Sequence, residues 1–226
     1  TPLSGIKWAL SLLQEELPES LLEKHRELLK KTYQANDRLI KLVNDLLDTS
    51  RIEEGRFGYT FEKINLADLV AETLEELSPL LKEKLKVELF WEYPKSSLPS
   101  ISADAKKLKM ALYNVFENAV KYTIKGSISI SLRASFSSLN VQVSDHGIGI
   151  PKDQQKFLFT KFFRARNAIS LETEGSGLGL WIANEIMKKH KGKILLVESV
   201  ENKGTTFLLR FPTDPQLMPK GKIKGL

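Results

Sequence analysis

The run Ser127-Ile128-Ser129-Ile130-Ser131-Leu132-Arg133-Ala134, followed shortly by Leu139-Asn140-Val141-Gln142-Val143-Ser144-Asp145, alternates apolar and polar residues. Successive side chains of a strand point to opposite faces, so the pattern predicts two strands of a sheet with one covered face. Working outward, Lys86–Glu92, Lys193–Ser199 and Thr205–Phe211 also read as strands, being rich in β-branched or alternating apolar residues. Leu66–Lys84, Asp104–Tyr122 and Leu180–Lys189 carry helical spacing. These helices are too few to cover both faces of the sheet. The expected architecture is a two-layer α/β sandwich with its helices on one side.

Ahead of the sandwich, residues 1–57 read as two long helices. Leu3, Ile6, Leu10, Leu13 and Leu17 step by three and four, as do Leu21, His25, Leu28, Thr32, Ala35, Leu39, Leu42 and Leu46. That seam repeats every 3.5 residues, the spacing of nearly parallel packed helices. Pro18-Glu19-Ser20 marks the turn of a hairpin. Leu12, Leu22, Leu29, Val43 and Leu47 form a second apolar strip that two helices alone cannot cover. A symmetric dimer closing a four-helix bundle is the economical arrangement, the alternative being a hairpin packed on its own chain. Gly55 and Gly58 flank the change of character, which gives a hairpin over 1–57, a sandwich over 58–214 and a flexible basic tail over 215–226. The fold class is α+β.

Composition excludes several chemistries. With no cysteine among 226 residues there is no disulfide framework, thiolate metal site or cysteine nucleophile. The three histidines, His25, His146 and His190, are too dispersed to suggest zinc. No apolar run approaches the roughly 18 residues of a membrane-spanning helix. The chain opens on Thr1 rather than Met, shows no secretory leader and is expected to be a piece of a longer protein. Residues 1–57 hold nine Lys/Arg against ten Asp/Glu, whereas the remainder holds 25 against 18. A basic second half suits a phosphorylated ligand, nucleic acid or an anionic membrane, and charge alone does not choose among them.

Four stretches carry chemistry. On the helix ending at Tyr122, Asn114, Asn118, Lys121 and Tyr122 share one side. Such a stripe is either a solvated face or the wall of a pocket for a polyanion and its cation, since amide oxygen suits Mg²⁺ and lysine offers a point charge to phosphate. Asp145-His146-Gly147-Ile148-Gly149-Ile150-Pro151 follows a strand directly. Its glycines allow close backbone approach and its aspartate is a fixed acceptor for an exocyclic amine such as that of adenine; the plainer reading is a capped tight turn. Gly175-Ser176-Gly177-Leu178-Gly179-Leu180 runs into a helix, where backbone N–H groups form an anion site. It is neither a dinucleotide fingerprint nor a P-loop. Gly204-Thr205-Thr206-Phe207 opens the last strand. Phe159, Phe162, Phe163, Arg164 and the polar stretch 166–174 look like a mobile lid with an aromatic anchor and a phosphate-seeking arginine.

In set and order, N-x-x-x-N-A-x-K-Y, D-x-G-x-G-I, F-x-x-F-F-R, G-x-G-L-G-L and G-T-x-F resemble the catalytic domain of sensor histidine kinases, all five lying within Asn114–Phe207. At the front, Thr1-Pro2-Leu3 resembles the end of that family's H-E-x-x-[TN]-P-L box. Leu46-Leu47-Asp48-Thr49-Ser50-Arg51-Ile52-Glu53 resembles the close of its second dimerisation helix. The resemblance implies a dimeric four-helix bundle followed by a sandwich of the histidine-kinase/gyrase ATPase class, binding ATP with Mg²⁺. By the same resemblance Asn118 binds the metal with Asn114 in support, Lys121 meets the phosphates and Tyr122 the adenine. Asp145 accepts from the adenine amine, with Gly147 and Gly149 giving access. Arg164, Gly175, Gly177, Leu178 and Gly179 hold the phosphate tail, and Thr205 closes the adenine side. Thr1 stands one turn beyond the phosphoacceptor, where the family uses such a residue in dephosphorylation; Thr1, Asn114 and Lys121 are thus the candidate catalytic set.

The implied partners are a second copy through residues 1–57 and the receiver domain of a response regulator, with no nucleic acid and no membrane contact by this part. The implied location is the cytoplasm, as a free protein or the cytoplasmic part of a membrane-anchored sensor. One departure stands out. The family's acceptor histidine precedes the Thr of its box by four residues, and this sequence starts at Thr1. His25 reads as a packed seam residue, His146 lies inside a glycine turn, and His190 near a helix C-terminus favours a cation by the dipole. None suits the acceptor role, so the sequence is expected to bind ATP without completing the phosphorylation cycle. Two other function classes compete with this one. A gyrase-type ATPase uses a glutamate four residues before the metal-binding asparagine, where this sequence has Asn114, an amide that cannot act as general base. An idle dimeric scaffold fits the missing acceptor but not the intact nucleotide boxes.

Overall fold

The computed structural model describes residues 2–16, 18–94, 98–172 and 175–225; Thr1 and Leu17 lie outside them. In chain order the elements are helices α1 (Pro2–Glu16) and α2 (Glu19–Glu53), strands β1 (Tyr59–Thr60) and β2 (Glu62–Ile64), and helix α3 (Leu66–Lys82). There follow β3 (Val87–Glu92), β4 (Ile101–Ala103), α4 (Ala105–Tyr122), β5 (Gly126–Ser135) and β6 (Ser138–Asp145). A 3₁₀ turn at Gln155–Phe157, α5 (Arg166–Leu171), α6 (Gly179–Lys189), β7 (Lys193–Val200), β8 (Gly204–Pro212) and β9 (Lys222–Ile223) complete the chain. Two compact units meet between Ser50 and Arg51, seven residues earlier than the expected boundary.

In the first unit α1 and α2 are tied by polar contacts. Asn36, 5% exposed, donates from Nδ2 to the Leu3 carbonyl at 3.1 Å. Lys7 Nζ pairs with Asp37 Oδ1 at 2.6 Å and lies 5.2 Å from the Tyr33 ring centre. Leu10 is buried, but Ile6, Leu13, Leu28, Leu39, Leu42 and Leu46 remain 45–66% exposed. The heptad seam of α2 is therefore an outward apolar face, and the hairpin's own contact runs through Leu3, Lys7, Leu10, Tyr33 and Asn36.

In the second unit the main sheet has strand order β3-β5-β6-β8-β7, with β3 parallel to β5 and the other pairs antiparallel. Ile128, Ile130 and Leu132 of β5, Leu139, Val141 and Val143 of β6, and Phe207, Leu209 and Phe211 of β8 are buried. Alternation thus assigned the covered face correctly. That face meets α4, which packs between α3 and α6 and contributes Leu108, Leu112, Val115, Phe116 and Ala119 to the core. Burying such residues stabilises by about 1.5–3 kcal/mol per large apolar side chain, an upper figure because unfolded chains are partly collapsed.

The second unit opens on the last turn of α2. The Arg51 carbonyl accepts from Arg56 N–H at 2.7 Å and Phe57 N–H at 3.0 Å, and Ile52 packs against the core. The C-terminal segment is not a free tail: β9 pairs with β1 (Tyr59↔Ile223), Ser102 Oγ donates to the Pro219 carbonyl at 2.5 Å, and Pro219 is buried. Gly58 and Gly225 allow this approach, because a Cβ on Gly225 would stand 2.1 Å from the Arg56 carbonyl oxygen. Lysine content suggested solvation, but three isolated lysines do not prevent the intervening backbone from pairing.

Candidate functional site

Helix α4 starts at an N-cap, Asp104, whose carboxylate accepts from Lys107 N–H at 3.0 Å. With Leu108, Leu112, Val115 and Ala119 facing the core, the register of the helix places Asn114, Asn118, Lys121 and Tyr122 along its flank. Asn114 is buried and Asn118 half-buried, and neither amide has a hydrogen-bond partner among the described residues. Neither amide is among the fully buried unpaired groups, so both reach solvent and, one turn apart, can take an external ligand. A Cβ on Gly179 would lie 3.4 Å from Asn114 Oδ1, so the first residue of α6 stands against that amide.

At its C-terminal end α4 meets the glycine turn after β6. Ile148 N–H donates to the Tyr122 carbonyl at 3.1 Å, and a Cβ on Gly147 would stand 2.5 Å from the same oxygen. Gly149 adopts φ 62°, and a Cβ there would meet the Val200 carbonyl oxygen at 2.0 Å, so the position admits only glycine. Asp145 Oδ1 accepts from Gly147 N–H at 2.8 Å, and the carboxylate also accepts from Thr205 N–H. Burial pushes its pKa up to about 6 in spite of these two donors and nearby His146. Thr205 is buried beside it, its hydroxyl 2.9 Å from Ser199 Oγ.

The arginine of the lid reaches this wall. Arg164 donates from Nη2 to the Glu172 carbonyl, its guanidinium lies 3.4 Å from where a Gly175 Cβ would be, and it bonds the Tyr122 phenol. Burial raises the Tyr122 pKa, with Arg164 pulling the other way. Gly177 (φ 67°) is wedged against the backbone of Phe162 and Phe163, and Phe162 itself adopts φ 61° while 62% exposed. Leu178 brings no side chain to the chamber: it is 1% exposed, and its N–H donates to Ser176 Oγ at 3.2 Å. Lys121 is half-buried at the same helix end. Thr1 lies outside the described residues.

Within the expected lid, residues 166–171 form helix α5, with Arg166 N–H donating to Gln154 Oε1 at 3.0 Å and the Arg166 guanidinium 3.3 Å from Asp153. One correction applies nearby. His190 is not a solvent-facing cation. It is 2% exposed, donates from Nδ1 to the Ile186 carbonyl at 2.8 Å and accepts at Nε2 from Asp104 N–H at 3.0 Å. Burial lowers its pKa, so the ring is a neutral staple. Sequence reading also missed Gln155, Asn167 and Ser199, which bond the glycine turn. No motif singles them out, because each acts through a side-chain contact to backbone distant in sequence.

Among the described residues no group of three His, Asp or Glu could hold a metal. The amide oxygens of Asn114 and Asn118 nevertheless fit Mg²⁺, which takes few protein ligands and keeps waters and phosphate oxygens. Among the described residues no helix is long and apolar enough to cross a membrane.

Comparison with known proteins aligns with this geometry. Residues 103–215 match the family described as histidine kinase-, DNA gyrase B- and HSP90-like ATPase, and residues 1–55 match the His kinase A (phospho-acceptor) domain. The circadian input-output histidine kinase CikA of Synechococcus elongatus is 32% identical over 97% of this chain and 29% of its own length. The sensor histidine kinase WalK of Bacillus subtilis is 32% identical over 94% of this chain and 34% of its own length. The chain therefore spans about a third of these relatives. Among solved structures, full-length ShkA in complex with AMPPNP superposes with a TM-score of 0.74 at 27% identity, covering 93% of this chain and 43% of that one. The Acinetobacter baumannii histidine kinase AdeS, at 19% identity and a TM-score of 0.66, shares the fold.

Proposed function

Since the chain belongs to the sensor histidine kinases, with a phospho-acceptor-type hairpin ahead of an ATPase-type sandwich, we propose that it is a kinase core. It binds Mg²⁺-ATP and presents the γ-phosphoryl to the acceptor histidine of the family's dimerisation helix, a residue that the present sequence does not contain. The observation that carries this reading is the amide couple Asn114 and Asn118, with Asn114 against the start of α6, on the helix whose C-terminal end abuts the Asp145 turn. One helix thus joins a hard-oxygen site to a purine-amine acceptor.

On this proposal Asp145 accepts from the adenine amine, and Gly147 and Gly149 let the base approach backbone. Thr205 closes that side. Lys121, Arg164 and the N–H groups from Gly175 to Gly179 stabilise the triphosphate, Arg164 exchanging the Glu172 carbonyl for phosphate oxygen. Mg²⁺, when bound, neutralises phosphate charge, and Asn118 with Asn114 would hold it. The chain's own contribution is positioning and fixed charge, as in phosphoryl transfer generally. Asn114 offers no general base to water, which favours transfer to a side chain over hydrolysis.

The phosphoryl then passes to an aspartate of a response regulator, Thr1 assists dephosphorylation, and the hairpins of two copies form the bundle. The ShkA complex with AMPPNP is consistent with the nucleotide assignment. A cytoplasmic setting follows from the ATP requirement. The decisive experiment is Asn118→Ala: Mg²⁺-dependent binding of a fluorescent ATP analogue is expected to be lost, while binding at the wild-type level overturns the metal assignment.

A further inference from the structure

Every polar backbone group of the turn from Ile148 to Ile150 that carries a described bond is held by a residue from outside it. Ile150 N–H donates to Ser199 Oγ at 2.9 Å, and Asn202 N–H to the Ile148 carbonyl at 2.7 Å. Two side-chain amides complete the set. Asn167 Nδ2 donates to the Gly149 carbonyl at 2.9 Å and to that of Ile148 at 3.3 Å, while its Oδ1 accepts from Ala168 N–H at 3.0 Å. Gln155 Nε2 donates at 3.0 Å to the carbonyls of both Ile150 and Ser199. Both residues are half-buried, and both come from the segment that carries the lid.

We infer that Asn167 and Gln155 are positioning residues for base selection, a role resting on the nucleotide reading above. Neither can touch the adenine acceptor directly. Asn167 holds the two carbonyls that follow Gly147, and the Gly147 N–H orients Asp145 Oδ1. Gly149 needs a positive φ that only glycine adopts cheaply, so the turn has no conformational rigidity of its own and takes its shape from these donors. A turn free to shift would let Asp145 accept from, or avoid, a wider range of purines. The amides therefore set how strictly a 6-amino purine is preferred over a 6-oxo purine. Because Asn167 lies in the first turn of α5, they also tie the base of the lid to the base-reading turn.

The isosteric variants Asn167→Asp and Gln155→Glu remove the donors and preserve size; Asn167→Asp also keeps the acceptor for Ala168 N–H. Calorimetry with Mg²⁺ would measure ADP and IDP affinity for the full chain and each variant. The ratio of the two affinities is expected to fall at least threefold in each variant and further in the double. Amide hydrogen exchange at Ile150 should quicken, whereas a merely structural role would lower both affinities together. An unchanged ratio with wild-type ADP affinity overturns this inference and leaves the nucleotide site standing. Failure of the wild type to bind ADP overturns both. Should a carboxylate variant not fold, Asn167→Ser supplies the same ratio, and an unchanged value there is equally fatal.

Discussion

Asp145 and His190 are both titratable and buried, yet they drive stability in opposite directions with pH. The Asp145 carboxyl has a pKa pushed up from 3.8 to about 6 by burial, so the folded protein binds its proton more tightly than the unfolded chain. Its contribution is complete below pH 3.8 and is lost as pH rises through 6. Asp145→Asn should therefore flatten that loss: between pH 5 and 7.5 the wild type should lose on the order of 1–2 kcal/mol relative to the variant in urea unfolding. Nucleotide affinity should move the other way, weakening below pH 6 as the acceptor is protonated. His190 has its pKa lowered from 6.5, so its stabilisation is present above 6.5 and lost as pH falls below it. His190→Ala leaves Asp104 N–H without its acceptor and opens space beside the Tyr59 and Phe61 rings. A loss of about 2–4 kcal/mol is expected, read as a fall in thermal midpoint. One partner of His190, the Asp104 N–H, lies 86 residues away along the chain. Helix position alone, which suggested a cation, carries no information about such a partner.

At the scale of elements, long periodic segments were legible and short ones were not. The five strands of the main sheet and helices α3, α4 and α6 were assigned to within about two residues at each end, because each offers several repeats of its period. Strands β1, β2, β4 and β9 have two or three residues each, too few for alternation to register. They exist through pairing: Glu62–Ile64 with Ile101–Ala103, and Tyr59–Thr60 with Lys222–Ile223. Within the candidate site, glycines and the Asn114–Tyr122 stripe were visible because their types are unusual at those spacings. Gln155, Asn167 and Ser199 were not, since an amide or hydroxyl in a loop has many innocent uses. The glycine turn supplies a test at this scale. Gly149→Ala would force a Cβ into the Val200 carbonyl at a left-handed φ. It should cost more than about 2 kcal/mol in denaturant unfolding, combining the backbone penalty with the clash.

For the molecule as a whole, the outward seam of α2 is the feature that calls for a partner. Leu39, Leu42 and Leu46 are each about half exposed and lie along one stripe, more apolar surface in a row than a solitary helix ordinarily leaves in water. If two hairpins cover each other there, Leu39→Asp with Leu46→Asp should convert a dimer to a monomer in sedimentation velocity, with nucleotide affinity per chain unchanged. The seam was legible from spacing, but its direction was not. A heptad stripe looks the same whether it faces its own hairpin or another.

The pairing of β1 with β9 brings Gly58 to within van der Waals range of Gly225, so the sandwich is almost a closed loop of chain. Its sequence could be rejoined across that gap by a short linker and opened elsewhere, with Phe136 and Ser137 at an exposed hairpin tip the natural place to cut. Such a circular permutant should keep its secondary structure by circular dichroism. For evolution it would mean that this module can be spliced into other proteins through a single doorway, with entry and exit side by side.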